Sequence, residues 1–150
     1  MAKKINILVV EPGKAPRPAR MEGTMETFQQ IVGGPIELWS YLPQRVLLIC
    51  NSEARRMGLP PNRATPRAGG YIVGTFLLCS FRDDEFTSLS PTQQAEFQAY
   101  FARPGEFMML GADIICTSPG ELKKAVSVLW ESMKDGESLV MTRWGNGQKA

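Results

Sequence analysis

The longest apolar run of the chain, residues 71–79, most constrains the fold. It reads Tyr-Ile-Val-Gly-Thr-Phe-Leu-Leu-Cys, and a run of this kind between turn signals predicts a buried central strand. Gly74 interrupts it, which indicates a bulge or the close approach of another backbone. The run is far shorter than the roughly 18 to 20 consecutive apolar residues that a membrane-spanning helix needs. The sequence therefore predicts a sheet built around this segment and no membrane span.

The rest of the chain alternates between strand-like and helix-like apolar patterns. Further strands are predicted at residues 5–10, 36–41, 45–50, 112–116 and 138–143. Helices are predicted at residues 21–32, from Ser90 to just before Pro104, and from Ser118 to Gly136. Residues 14–20 are predicted to be an exposed connector broken by proline, and residues 82–89 a short helical turn.

The order of these elements predicts an α+β fold. The connection between residues 36–41 and 45–50 is short, which favours antiparallel pairing of the two strands. A chain of 150 residues has the size of one domain and can bury roughly 70% of its unfolded surface. We therefore expect a single α+β domain, with a mixed or antiparallel sheet and helices packed mainly on one face.

The absence of histidine is the strongest chemical constraint. Without histidine, Ser-His-Asp catalysis, Cys-His catalysis and histidine-ligated metals are excluded. The cysteines Cys50, Cys79 and Cys116 each end an apolar run and form no Cys-x-x-Cys pattern, so we expect reduced core thiols. We expect no metal and no cofactor, and catalysis is the less favoured class of function.

Charge is distributed unevenly along the chain. Residues 1–75 carry ten Lys or Arg against five Asp or Glu, and residues 76–150 carry seven against ten. The basic front half is suited to attract an anionic partner, and the alternative is an ordinary solvated surface. The charges are too balanced for a dedicated duplex-DNA binder.

The apolar run that follows Lys3-Lys4 is too short for a signal peptide, so we expect a cytoplasmic protein. Homo-oligomerisation is left open.

Polar side chains concentrate in residues 50–63 without a helical or strand period. Pro60-Pro61 stiffens this segment, so Asn62 and Arg63 are expected to be held in place. An arginine fork binds phosphate or carboxylate, and a neighbouring amide can read the edge of a base or ribose. The predicted ligand-binding residues are those of this loop and its charged neighbours: Asn51, Arg55, Asn62, Arg63, Glu37 and Lys14.

Two other interpretations of these charged residues stay open. In one, Arg63 pairs with Glu37 or Glu11 and ties the loop to the sheet, because buried polar groups are usually satisfied internally. In the other, Glu11 and Glu37 are carboxylates of an enzyme that acts on a nucleotide with the help of Arg63. Glu37 is expected to share one face of its strand with Trp39 and Tyr41.

A series of short segments carries a family resemblance. The segments are VVEPGK at 9–14, FQQIVGGPIE at 28–37, CN at 50–51, GLPPNR at 58–63, VGTF at 73–76 and FTSLS at 86–90. In this order, from about residue 5 to about residue 104, they resemble DUF3846, an uncharacterised family of bacteria and of their phages and plasmids. Where the family usually has Asn-Glu-Glu-Gly-Lys, this chain has Asn-Ser-Glu-Ala-Arg at 51–55.

The resemblance implies a DUF3846-like core over residues 1–104, with residues 105–150 as a strand-helix-strand extension packed on the same domain. It also implies a mobile-element setting in a bacterial host cell, and it supplies no activity. Our hypothesis is a non-catalytic binding module of a phage or mobile element that captures a small anionic, nucleotide-like ligand or inhibits a host factor. The alternatives are the enzyme just described and a protein-blocking module without a small ligand, anchored by Trp39 or Trp144.

Overall fold

The computed structural model describes residues 3–40, 42–65, 70–110, 113–117, 119–132 and 139–142. Within these ranges the strands are β1 (Lys4–Val10), β2 (Arg17–Glu22), β3 (Ile36–Trp39), β4 (Val46–Asn51), β5 (Pro61–Ala64), β6 (Tyr71–Val73), β7 (Phe76–Arg82), β8 (Glu85–Thr87), β9 (Glu106–Leu110), β10 (Asp113–Thr117) and β11 (Leu139–Thr142). The helices are α1 (Met25–Val32), α2 (Pro91–Tyr100) and α3 (Leu122–Ser132). None of these three helices has the length and apolar character needed to cross a membrane.

A six-stranded sheet forms the centre of the fold. Its strands follow the order β2-β1-β7-β4-β3, and β8 pairs with β7 outside this path. Every pairing in the sheet is antiparallel. The predicted α+β class with an antiparallel sheet is therefore confirmed, and β7, from the second half of the longest apolar run, lies between β1 and β4.

Helices α1 and α2 cover opposite faces of this sheet. Leu8 and Val10 of β1 belong to the buried cluster that contains Phe97 of α2, whereas Ile7 belongs to the cluster that contains Phe28 of α1. The expectation that the helices pack mainly on one face is thus not met by α1 and α2. The physical reason lies in β1, whose consecutive apolar residues require cover on both sides of the sheet.

Residues 17–22 form an edge strand where a connector and the start of a helix were predicted. β2 pairs with β1 along its whole length, and an edge strand tolerates proline because its outer side needs no ladder hydrogen bonds. Helix α1 begins at Met25, after Thr24, whose Oγ1 accepts a hydrogen bond from Thr27 N at 3.2 Å. Met21 therefore belongs to β2, and it packs on the face that α1 covers.

The longest apolar run is divided into β6 and β7 at Gly74. This glycine has a φ of 77°, its N–H donates to the carbonyl of Pro60 at 2.8 Å, and an added Cβ would lie 3.0 Å from Leu59 Cδ1. The predicted close approach of another backbone is confirmed, whereas the prediction of one continuous strand is wrong. β6 instead pairs with β5 as a separate two-stranded sheet.

The predicted helical turn over residues 82–89 is wrong, because this segment forms a β-hairpin. Arg82 at the end of β7 lies opposite Glu85 at the start of β8. Between them, Asp83 and Asp84 have φ values of 50° and 61°. Aspartate adopts such values more readily than most residues, and two successive positive φ angles form a tight hairpin turn.

The C-terminal strands form a second antiparallel sheet in the order β10-β9-β11, and α3 contacts β9 and β10. The sequence predicted β10, β11 and α3, but it did not predict β9. Phe107 of β9 is buried, β10 lies beside β5, and Gly105 N donates to the carbonyl of Asn62 at 3.1 Å. Both ends of the predicted last helix, Ser118 and Gly136, lie outside the described residues.

Candidate functional site

The predicted ligand-binding residues occupy two separate environments. Asn62 and Arg63 are buried at the junction of β5 with β1 and α2, together with the main chain of Lys14. Glu37 lies on the edge strand β3, and Arg55 lies in the turn after β4 and lines a surface cleft. The structure therefore separates residues that the sequence had assigned to one site, formed by a single loop and its charged neighbours.

Asn62 is a buried structural residue of β5. The predicted loop is a strand at this point, and the Asn62 side chain is fully buried. Its Nδ2 donates to the carbonyl oxygens of Val10 and Gly74, each at 2.9 Å. These bonds join the end of β1 to the break between β6 and β7, so the amide ties two main-chain segments together inside the core.

Arg63 is buried beside Asn62 and is 2% exposed. Its Nε and Nη2 donate to the carbonyl of Phe101 at 3.1 and 2.9 Å, and Nη2 also donates to the carbonyl of Lys14 at 2.6 Å. Its Nη1 donates to Asn62 Oδ1 at 2.6 Å. The planar guanidinium thus fixes the end of α2 and the turn after β1 through several hydrogen bonds at once.

The interpretation in which Arg63 pairs with Glu37 or Glu11 is wrong, because both carboxylates have other partners. Glu11 forms an ion pair with Arg17, with 3.1 Å between Oε1 and Nε, and Glu37 accepts a hydrogen bond from Trp39 Nε1. Arg63 does tie its segment to the rest of the fold, but it does so through main-chain carbonyls. Carbonyl acceptors at the end of a helix and in a turn have no sequence signature, which is why a carboxylate was expected.

Two more predicted site residues have contacts within the fold. Lys14 contributes its carbonyl to Arg63, while its side chain is exposed. Asn51 is buried at the end of β4, where its Nδ2 donates to the carbonyl of Val32 at 3.2 Å and its Oδ1 accepts from Glu53 N at 2.8 Å. Asn51 therefore joins the end of α1 to the start of the following turn.

A surface cleft lies between β3, β6 and the turn after β4. Its volume is about 110 Å³. We call it the Trp39–Tyr71 cleft; it is lined by Trp39, Cys50, Asn51, Ser52, Ala54, Arg55, Arg56, Tyr71, Ile72 and Val73. The cleft combines two aromatic side chains with two arginines, which is a suitable composition for recognising a small anionic or planar group.

Arg55 is held against Tyr71 on one side of the cleft. Its guanidinium carbon lies 4.2 Å from the centroid of the Tyr71 ring. Nη1 donates to Tyr71 Oη at 3.1 Å, and Nη2 donates to the Tyr71 carbonyl at 3.3 Å. Arg56, next along the chain, pairs with Glu53 at 3.0 Å and has a side chain that is 80% exposed. Arg55 is thus positioned in advance, and Arg56 can reorient toward a ligand.

Glu37 and Trp39 share one face of β3, as predicted, and their strand partners are Cys50 and Leu48. Both partners belong to the core cluster on the α2 side. Tyr41, the third predicted member of that face, lies outside the described residues. Burial raises the pKa of the Cys50 thiol to about 12, and the negative charge of Glu37 adds to this effect. Cys50 therefore lines the cleft as an uncharged thiol and does not act as a nucleophile.

Tyr71 is the cleft residue that sequence reasoning missed. It begins the longest apolar run, so it was interpreted only as part of a core strand. Trp39 was predicted as an anchor for a protein partner, and it lines the cleft; Trp144 lies outside the described residues. A tyrosine at the first position of an apolar run, with a nearby arginine-rich turn, is the one signal that pointed to Tyr71.

The fold and the cleft define a small α+β protein with an aromatic and basic surface cleft. Residues 5–102 match the family model described as "Domain of unknown function (DUF3846)". Because the match covers more than half of the chain, the protein belongs to the DUF3846 family, as its sequence segments indicated. No match was found among the curated proteins or among the solved structures.

Proposed function

We propose that this protein is a non-catalytic binding module that captures a small anionic ligand in the Trp39–Tyr71 cleft. The observation that carries the proposal is the placement of Arg55 over the Tyr71 ring at the cleft wall. Arg55 donates two hydrogen bonds to Tyr71. A guanidinium has five N–H donors, so further donors remain for a ligand.

The volume of the cleft limits how much of a ligand it can hold. Sites for whole small molecules commonly have volumes of about 300 to 1,000 Å³, and this cleft has about 110 Å³. A nucleotide-like ligand would therefore place one group in the cleft, such as a phosphate beside Arg55 and Arg56, and keep the rest on the surface. The setting that the family resemblance implies, a phage or mobile element in the cytoplasm of a bacterial cell, is part of this proposal.

Native mass spectrometry of the protein purified from bacterial cells tests the proposal, with the denatured mass as reference. We expect an excess mass of a few hundred daltons that is released on denaturation and that identifies the ligand. The variant Arg55→Gln removes the charge and should lose this mass. The matched control is Arg82→Gln, which removes an exposed arginine at the β7–β8 hairpin, and it should retain the mass.

A titration tests for a ligand that binds too weakly to stay bound during purification. Adenosine monophosphate, added to the purified protein and followed by two-dimensional NMR, should shift the backbone signals of Arg55, Arg56 and Tyr71 in a saturable way. Arg55→Gln should weaken this binding at least about tenfold, because a hydrogen bond to a charged group is lost. A bare chain mass together with no saturable shift at the cleft would contradict the proposal.

A second candidate, a module that blocks a host protein, is favoured by the edge strand β3. Its outer side is available for pairing with a partner strand, because β3 ends the sheet. Leu38 on this strand is 49% exposed, on the face opposite Trp39. If a bacterial protein co-purifies, Leu38→Lys should abolish the complex, and the cleft variant Arg55→Gln should leave it intact.

No comparable observation favours the enzyme alternative. Glu11 forms an ion pair with Arg17, and Glu37 accepts a hydrogen bond from Trp39. Arg63 is buried and donates to main-chain carbonyls and to Asn62. The measurement that would revive it is turnover of a nucleotide by the purified protein that Glu37→Gln abolishes.

A further inference from the structure

The basic segment Lys14 to Arg20 contains three cationic side chains, and Arg20 differs from Arg17. Arg17 forms the ion pair with Glu11. The guanidinium of Arg20, in contrast, forms no hydrogen bond or ion pair with any residue that the structure describes. Arg20 is an exposed residue of an ordered strand, so its charge is positioned but not neutralised.

Arg20 lies in a polar groove between the sheet and α2. Asn6 of β1 is its register partner in β2, so the two side chains lie next to each other on one face of the sheet, with roughly 5 Å between their Cβ atoms. Gln94 of α2 faces them across an open groove of about 390 Å³, which Pro18 and Ala19 complete. The groove thus brings together one guanidinium and two amides.

The two amide side chains are also available for a ligand. Asn6 uses its backbone N–H with Ser88 Oγ, and Gln94 uses its backbone N–H with the Ser90 carbonyl. Neither amide side chain forms a hydrogen bond with any part of the chain that the structure describes. On the same face, Lys4 lies opposite Glu22, and these two opposite charges add no net charge to that of Arg20.

We propose that this Asn6–Arg20–Gln94 groove is a second anion-binding site, which takes the phosphate or carboxylate group of a small molecule. The guanidinium fork matches the two oxygens of such a group bidentately. The amides on either side supply further N–H donors and distinguish an oxyanion from a simple halide. β2 and β3 lie at opposite edges of the central sheet, so this site is independent of the Trp39–Tyr71 cleft.

Two NMR titrations test the groove, one with inorganic phosphate and one with acetate, both at constant ionic strength balanced with chloride. We expect saturable shifts of the side-chain amide signals of Asn6 and Gln94 and of the Nε–H signal of Arg20. Arg20→Gln should weaken the binding at least about tenfold, because the charge-assisted hydrogen bonds are lost. Arg17→Gln, on the same strand, should change the affinity less than twofold, and Gln94→Ala should give an intermediate loss.

Each outcome of the titrations either supports or overturns the proposal. Saturation with phosphate alone assigns the groove to phosphorylated molecules, saturation with acetate alone assigns it to carboxylates, and saturation with both assigns it to oxyanions in general. Shifts that rise linearly without saturation, or that persist unchanged in Arg20→Gln, overturn the proposal. The cleft variant Arg55→Gln should leave these titrations unchanged, so failure at one site is distinguishable from failure at the other.

Discussion

Arg63 donates a hydrogen bond from Nη1 to Oδ1 of Asn62 at 2.6 Å, and both side chains are almost completely buried. Asn62 in turn holds the carbonyls of Val10 and Gly74. The two residues thus form one connected polar unit inside an apolar core. Such a unit stabilises the fold only when all its members are satisfied, so its loss should be cooperative.

This pair gives the first prediction. Asn62→Ala removes two buried hydrogen bonds to main-chain carbonyls and should lower the free energy of unfolding by about 2 to 4 kcal/mol, and Arg63→Met should lower it by about 3 kcal/mol. The double variant should lose about 1 to 2 kcal/mol less than the sum of the single variants, because the two side chains share one network.

Urea unfolding of the four proteins in this cycle provides the measurement. The control is Arg56→Ala, which removes an 80% exposed side chain and should change the free energy of unfolding by less than about 0.5 kcal/mol. Strictly additive effects of Asn62→Ala and Arg63→Met would contradict a shared network.

The second prediction concerns Gly74 and uses Gly58 as its matched control. Both glycines have positive φ, 77° and 69°, so alanine at either position costs about 1 to 2 kcal/mol of backbone strain. At Gly74 a Cβ would also lie 3.0 Å from Leu59 Cδ1, whereas at Gly58 it would meet nothing within 4 Å. Gly74→Ala should therefore be the more destabilising of the two in thermal unfolding. Equal effects would mean that Leu59 relaxes freely.

The third prediction concerns the pH dependence of stability above pH 9. Burial raises the pKa of the Cys50 and Cys79 thiols from 9.0 to about 12, and Glu37 contributes a smaller part at Cys50. As the pH rises through 9, the unfolded chain releases these protons first, while the folded protein keeps them up to about pH 12. The stabilisation is therefore complete below pH 9 and is lost progressively between pH 9 and 12.

Urea unfolding between pH 8 and about pH 11 measures this effect. The double variant Cys50→Ala, Cys79→Ala removes both thiols and should lose less stability across the range than the unmodified protein. The comparison cancels the contributions of lysine and tyrosine titration, since both proteins share them. Parallel curves for the two proteins would show that the thiols titrate alike in the folded and unfolded chains.

The fourth prediction concerns the start of α2. Gln93 accepts hydrogen bonds from Ser90 N and from the buried Ser80 Oγ, and its Nε2 donates to the carbonyl of Gln44. Ser90→Ala removes one capping bond and should cost about 1 kcal/mol. Gln93→Ala removes three bonds and should cost about 2 kcal/mol. Thr92→Ala, at an exposed position of the same helix turn, is the control in thermal unfolding.

Several elements were predictable because their signals are local. Helix α2 starts at Ser90 as predicted, where Ser90 and Gln93 form a capping box, and Gly33 ends α1 in the left-handed conformation. The apolar run of β1 and the antiparallel pair β3–β4 also match the prediction. In each case the decisive groups lie within a few residues of each other, so the sequence alone contains the interaction.

The errors occurred where a partner distant in sequence decides the conformation. Residues 17–22 form a strand because β1 pairs with them, although Pro18 and the preceding Pro16 favour a connector. The run 71–79 is divided because the Pro60 carbonyl binds Gly74 N and directs β6 to pair with β5. Local propensity is a weak determinant when a neighbouring strand supplies a complete set of hydrogen bonds.

By itself, the sequence determined the α+β class, the family, the exclusion of histidine chemistry and the concentration of polar residues in segment 50–63. Only the tertiary structure decided which of these residues face water. It buried Asn62 and Arg63 beneath α2 and β1, left Arg55 at the surface against Tyr71, and placed Arg20 beside Asn6. The physical reason is that alternation along a strand fixes which residues share a face, whereas the element that covers that face comes from a distant part of the chain.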